Sequence, residues 1–414
     1  MEKNLKWIFN KKEDLTWLVF PSLVSFLIVI SYIVMVNFFG LTKYNSIIII
    51  YLTWAILFDG THIFATYSRT YFDKEFFREN KSLLLKSLLI FIVGPAFIII
   101  IYSLNYSLNQ ASMSFIVFNR FALLYGYYHV IRQHWGFVVI YRKKNNETNT
   151  ITRKLDGYIL ALGSIFPFLH GQMGNIKIIH KSELIVFSNQ EWNNLSVYLI
   201  SLGVIILVLY FSKKLFLKKL KLDVISILLI MSSCIIFFIN NFGLNNVLLY
   251  LSYLVAVLFI VVFIYYLVIL FKDKERFNYP KWVLILTVII SYNIILHLNL
   301  PILIIFAAIT VFHNIQYHKI INFHNVNKYK KSSKNKHGFS VVLTKRLSIF
   351  ILLALLFNII FIPKFTINLI SSNLLLSYII TTFFWGIPFH HYYLDSVIWK
   401  IKGNKALNKN LNIE

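Results

Sequence analysis

The sequence predicts an all-α, polytopic membrane protein with about twelve spans (ten to twelve). Three observations carry that prediction. Of 414 residues, 58% are hydrophobic and only 14% charged, against about a quarter charged in soluble domains; the mean hydropathy is +0.68. Many continuous apolar runs exceed the roughly 18 residues that cross a bilayer as a helix, and none alternates with period two as barrel strands do. The basic residues, finally, collect in every second loop.

Taken in order, the candidate spans are 15–38, 46–66, 83–104, 113–140, 156–171, 195–212, 222–241, 246–271, 281–298, 301–319, 346–363 and 370–392. The first is too long for a signal-peptide core and is read as a retained span. Leu298–Pro301 joins the ninth and tenth as a tight hairpin, with Pro301 opening the next helix. Lys and Arg crowd the N-terminus, the loops after spans two, four, six, eight and ten, and the C-terminal tail, whereas the alternate loops are poor in them. Because basic loops stay on the cytoplasmic side, both termini are expected to be cytoplasmic. The whole chain, 1–414, reads as one integral-membrane domain. Residues 320–345 read as a flexible basic cytoplasmic loop with His324 and His337 solvated.

The net charge of +25 is read as topology signal and contact with anionic lipid, not as a nucleic-acid surface. The expected location is the cell membrane, multi-pass, which in a bacterium is the cytoplasmic membrane. A single cysteine, Cys234, excludes an intrachain disulfide and a thiolate cluster.

Four polar sites stand out. Tyr128-His129-Val130-Ile131-Arg132-Gln133-His134 ends span four, and Phe312-His313-Asn314-Ile315-Gln316-Tyr317-His318 ends span ten. Both read aromatic-His-x-Ile-x-x-His. Asp59 and His62 end span two; His390, His391 and Asp395 end span twelve. All four are even-numbered spans, so all four sites are expected at one depth on one side. Ionisable groups inside a membrane are costly and usually face the bundle interior, and neutral imidazole with carboxylate is a common metal donor set. The candidate ligands are therefore His62, His129, His134, His313, His318, His390, His391, Asp59 and Asp395. Tyr128 and Arg132 are the candidate catalytic side chains beside them. Against this, a lone histidine at a helix end is more often interfacial, tyrosines there form an aromatic belt, and Arg132 or Arg69 could serve only as topological charge. The i,i+5 spacing within each echoed pair separates the two imidazoles by about 140° on an ideal helix, so both converge only where the helix is unwound or bulged.

At these residues the chain resembles the histidine-box integral-membrane oxygenases, among them the fatty-acid desaturases and hydroxylases, and more loosely the bacterial carotene-cleaving membrane oxygenases. His129-x4-His134 and His313-x4-His318 are similar to an H-x(3,4)-H box, and His390-His391 to the doublet of a later box. No histidine lies two or three residues before His390, and the first motif is Asp-x-x-His, so the resemblance covers about thirty residues. It implies a non-haem centre of two irons, zinc or copper being secondary, a lipid or isoprenoid substrate taken from the bilayer, and an external electron donor. The competing readings are a membrane transferase that uses one buried histidine as general base, a twelve-span transporter, and a bis-histidine haem protein.

Overall fold

The computed structural model describes residues 5–105, 108–179, 244–272, 277–329, 331–359 and 373–413, and every regular element among them is helical. The expected spans 195–212 and 222–241, together with Cys234, lie outside the described residues. Two compact units are present. One comprises Met1–Ser164 with Val262–Glu414; the other is Ile165–Val261.

The elements are α1 (Lys11–Asn37), α2 (Lys43–Thr70), α3 (Lys74–Glu79), α4 (Lys81–Ser103), α5 (Leu108–Lys144), α6 (Thr150–Ile179), α7 (Leu244–Lys272), α8 (Tyr279–His297), α9 (Ile302–Tyr329), α10 (Lys334–His337), α11 (Phe339–Lys345), α12 (Leu347–Ile359), α13 (Leu374–Ile398) and α14 (Lys405–Asn410). Among the described residues five helices are long and apolar enough to cross a membrane: α1, α2, α4, the Leu249–Lys272 part of α7, and α8. A sixth arises if Phe339–Lys345 and Leu347–Asn358, bent by 112°, count as one span. The helices expected from runs 113–140, 301–319 and 370–392 also form, as α5, α9 and α13. Their own polar residues keep them out of that apolar set.

Two π-turns shape the helices around the site: Leu15–Val19 within α1 and Ala55–Asp59 within α2. A π-turn interrupts the i→i−4 ladder, and a buried carbonyl must find a partner. In both turns the partner is a side-chain amide from another helix. Gln316 Nε2 of α9 donates to Leu18 O at 2.7 Å, and Asn358 Nδ2 of α12 donates to Ile56 O at 2.6 Å. Gly60, next to the second turn, is what lets Asn358 approach: a Cβ there would overlap its amide oxygen.

α2 is locked between neighbours on either side of His62. Ile63 packs against Ile387 of α13, and Ala65 packs against Tyr317 and Ile321 of α9. α5 joins α13 through Phe118 and Ala122 against Trp385 and Phe389, with Trp385 Nε1 donating to Asn119 Oδ1 at 2.7 Å. α4 meets α13 at backbone distance. A Cβ on Gly386 would lie 2.7 Å from Phe91 Cα, and one on Gly94 2.7 Å from Thr382 O. Small residues at such crossings are a recurrent device of membrane helices.

Several charges expected as topology signal at the span ends are buried and paired. Arg142 and Lys281 meet Asp156 Oδ2 at 2.5 and 2.8 Å, and both also reach Glu147 Oε2 at 2.8 Å, tying α5, α6 and α8 together. The basic stretch 320–345 is also corrected in part. α9 runs on to Tyr329, α10 and α11 follow, and His324 and His337 are buried, not solvated. The anchor of His337 is Asp73, fully buried, which accepts from Lys328 Nζ and Tyr329 OH, each at 2.6 Å, and lies 3.2 Å from His337 Nδ1; His324 instead packs against Tyr329 and Trp399. Burial pushes the Asp73 carboxyl up. The Lys328 ammonium, the Tyr329 hydroxyl and the Phe76 N–H outweigh burial and hold it below the ordinary carboxylate range.

Candidate metal centre

Four helices bring four imidazoles and one carboxylate together: His62 from α2, His129 from α5, His313 from α9, and His391 with Asp395 from α13. Ring centroids are 4.6 Å apart for His62 and His391, 4.9 Å for His129 and His313, 5.1 Å for His129 and His391, and 5.3 Å for His62 and His313. All five residues are buried. Two sets of donors lie close enough to hold an ion, His62–His313–His391 and His129–His391–Asp395, and His391 belongs to both. The groups separated by 329 residues in sequence are the closest: His62 Nε2 and His391 Nε2 stand 3.1 Å apart.

That separation has a chemical meaning. Two nitrogens bound to one ion at about 2.1 Å lie that far apart when the angle at the ion is roughly 95°. Asp395 Oδ2 is 3.6 Å from His391 Nε2 and 3.8 Å from His129 Nε2, again within the span of one coordination sphere.

The outer atoms of this set are tied. Tyr317 OH donates to Asp395 Oδ1 at 2.6 Å, and Thr66 Oγ1 donates to the same oxygen at 3.0 Å. Thr66 Oγ1 also lies 2.8 Å from His391 Nδ1 and 2.5 Å from Tyr317 OH; when its one proton goes to Asp395 it can meet Nδ1–H only as acceptor, the tautomer that leaves Nε2 as a lone pair. Oδ2 of Asp395 likewise remains for the cluster. Asp59 Oδ1 stands 3.7 Å from His62 Nδ1, on the side away from His391. This is the arrangement in which a ligand's far atom is fixed by a polar partner while its near atom faces the metal. Among the described residues His62 Nδ1, His129 Nε2 and both ring nitrogens of His313 are buried without a hydrogen-bond partner. Buried polar atoms of that kind ask for an explanation; an ion could account for the two that face the cluster, whereas His134 Nε2, also unpartnered, lies outside it.

Local irregularity precedes two of the candidate ligands. The π-turn Ala55–Asp59 ends three residues before His62, and Pro388 stands three residues before His391 inside α13. The two echoed pairs, by contrast, sit on unbroken α-helix. Only the first histidine of each pair therefore joins the cluster. His134 turns to the other face, with Nδ1 2.8 Å from Val130 O and its ring against Tyr292 and Phe312. His318 Nε2 lies 3.0 Å from Thr61 Oγ1. His390 occupies a separate hydroxyl-lined niche, with Nδ1 3.1 Å from Tyr67 OH and Nε2 2.8 Å from Ser87 Oγ.

Arg69 is buried, donates to Ile398 O at 3.2 Å and lies 4.2 Å over the Trp399 ring, so it closes the end of α13. Thr66 and Tyr317 were not singled out as site residues by sequence. A helical signal existed for both: each stands four residues after a candidate ligand, His62 or His313, on the same face. A cavity of about 590 Å³ opens against the cluster, with His129, Tyr317 and Asp395 in its wall. Tyr128, half-exposed, and Arg132 line it as well.

Comparison with protein-family models, with curated proteins and with solved structures finds no match to this chain. The conclusion that stands on geometry is a helical protein, with five to six candidate membrane spans among the described residues, whose buried histidine and aspartate groups could hold a metal ion.

Proposed function

We propose that the chain is a metal-dependent membrane oxidoreductase acting on a lipid or isoprenoid substrate, with its ion held within the cluster of His62, His129, His313, His391 and Asp395, in one of the two donor sets that share His391. The observation that carries the reading is the orientation of Asp395 and His391 by Thr66 and Tyr317, which leaves Oδ2 and Nε2 aimed at the other imidazoles. The two three-donor sets, His62–His313–His391 and His129–His391–Asp395, share His391; a neutral imidazole offers one lone pair, so the sharing favours one ion at a time over the two irons implied by the histidine-box resemblance. His134, His318 and His390 spend ring nitrogens on Val130 O, Thr61, Tyr67 and Ser87. An imidazole and carboxylate set without thiolate suits iron, with zinc and copper as the other candidates.

What a redox-active ion would supply here is activation of dioxygen toward a C–H or C=C bond, with electrons from an external donor where only one oxygen atom enters the product. The chain's own residues do the rest. They fix the donor geometry, keep water from the inner face through the apolar contacts of Ile63, Ile387 and Phe389, and leave the cavity side open to substrate. The twelve-span topology, with both termini cytoplasmic, belongs to this same proposal; its support is the alternation of basic loops.

The test is elemental analysis of the purified chain beside His129→Ala, His313→Ala and His391→Ala. One iron per chain, lost in all three, is expected. One zinc would redirect the reading to Lewis-acid chemistry, and folded protein without metal would remove it.

A further inference from the structure

Hydrogen bonds fix His391 in the cluster: Nδ1 lies 2.8 Å from Thr66 Oγ1, and Nε2 lies 3.1 Å from His62 Nε2. Among the described residues His129 has no comparable tie. Its Nε2 is buried without a hydrogen-bond partner, 3.8 Å from Asp395 Oδ2. It also lines the cavity, so one side of the ring adjoins open space. The second side-chain torsion of histidine is broad, and an imidazole with neither a hydrogen bond nor a close wall takes many orientations. A metal ligand needs one.

What fixes His129 is a ring. Tyr392 of α13 stacks on it with centroids 4.1 Å apart and planes 20° from parallel, closer than the imidazole pairs of the cluster. His313 and His391 stand at 79° and 66° to the same imidazole. Among the described residues flat contact with His129 therefore comes from Tyr392 alone. Tyr392 is itself held. Tyr125 packs edge-on at 5.5 Å, and Phe389, three residues before it on α13, packs at 6.3 Å. Gly126 makes room for its hydroxyl, since a Cβ there would lie 3.2 Å from Tyr392 OH. His391 and Tyr392 are neighbours in sequence. Two consecutive residues of α13 thus serve the cluster, one as a candidate ligand and the other by gripping the candidate ligand of α5.

We infer that Tyr392 is a positioning residue: its ring, through stacking and not through its hydroxyl, sets the plane of His129 and so aims Nε2 at the cluster. The inference rests on the reading of the cluster as a metal centre. One stacked aromatic pair makes a modest contribution, so removing the ring should weaken metal binding about 3–10-fold.

The test uses the full chain in detergent with its histidines 13C-labelled, metal-free and with cobalt(II) added. The His129 resonances are assigned by their loss in His129→Gln. In metal-free protein the His129 ring protons are expected to move downfield in Tyr392→Leu, as the shielding by the tyrosine face is removed, and to stay in place in Tyr392→Phe. Cobalt(II) affinity, read by competition with a chelator, is expected to fall about 3–10-fold in Tyr392→Leu, with a changed visible spectrum, and to be restored in Tyr392→Phe. A loss of stability alone would move neither the ring protons nor the spectrum. His129 protons that stay in place in Tyr392→Leu overturn the inference. So does Tyr392→Phe behaving like Tyr392→Leu, because the hydroxyl would then be the active group. If Tyr392→Leu does not fold, cross-relaxation between the Tyr392 and His129 ring protons in the wild type decides the stacking, and its absence overturns the inference. A wild type that binds no metal removes the metal reading and this inference with it. Cobalt bound by Tyr392→Leu with wild-type affinity removes this inference alone.

Discussion

Tyr317 donates to Asp395 across 2.6 Å, from α9 to α13, and the same aspartate oxygen accepts from Thr66 of α2 at 3.0 Å. Neither hydroxyl is part of the donor set, yet together they decide which carboxylate oxygen faces His129 and His391. Thr66 further meets His391 Nδ1 at 2.8 Å, so one hydroxyl orients two proposed ligands.

Thr66→Val keeps the shape and removes those bonds. Metal affinity, read by competition with a chelator, should fall about 10–100-fold with little loss of thermal stability, and Thr66→Ser should restore it. Wild-type affinity in Thr66→Val would contradict the orienting role.

The histidines outside the cluster supply a discriminating set. His134→Ala, His318→Ala and His390→Gln are expected to retain metal at wild-type stoichiometry, whereas His62→Ala should lose it with His129→Ala, His313→Ala and His391→Ala. Loss of metal from all three outer variants, each checked for folding, would favour a larger, two-ion centre. His390→Gln is also expected to lower stability by about 1–3 kcal/mol, because Ser87 and Tyr67 lose a buried partner.

Asn358→Leu leaves the Ile56 carbonyl without its amide inside the π-turn that precedes His62. A destabilisation of about 1–3 kcal/mol is expected, together with weakened metal binding, because the turn sets the register of Asp59 and His62. Gln316→Leu makes the matching change at Leu18 O. It should cost similar stability, with less effect on metal, since that turn lies on α1 and carries no proposed ligand.

Asp73 gives the pH dependence. Its carboxyl is held below the ordinary value of 3.8 despite burial, so the unfolded chain takes up this proton before the folded one does. The stabilisation is therefore fully present above the unfolded value and is lost as pH falls below about 4. Unfolding in detergent should show an acid-dependent component that Asp73→Asn lacks. At pH 7 that variant should be less stable by about 1.5–3 kcal/mol, with metal content unchanged.

Gly386→Ala would force α13 away from Phe91 of α4, since no flexible side-chain end can yield at a contact with backbone. A loss of about 1–3 kcal/mol is expected, measurable as a lowered unfolding temperature. Gly403→Ala, where no atom lies near but φ is +78°, should act through backbone strain alone and leave the helix crossing unaffected.

What the sequence determined by itself is the class of the molecule and the address of its polar sites. Continuous apolar runs make helices through local physics, and a histidine within such a run is visible because it is costly there. Thus His62, His129, His313 and His391 were all legible as candidates. The tertiary structure decided which candidates meet. On the unbroken helices α5 and α9, residues five apart face different ways, so packing could bring in His129 and His313 only by leaving His134 and His318 outside; nothing local to either motif says which member turns inward. The same holds for the doublet, where adjacent residues on α13 point His391 to the cluster and His390 to Ser87. The expectation that His324 and His337 were solvated failed for the same reason. Their surroundings are polar in sequence, but a buried carboxylate, Asp73, more than 250 residues away in the chain, holds Lys328, Tyr329 and His337, while His324 packs against Tyr329 and Trp399; long-range contacts of that kind leave no periodic trace in the residues they fix.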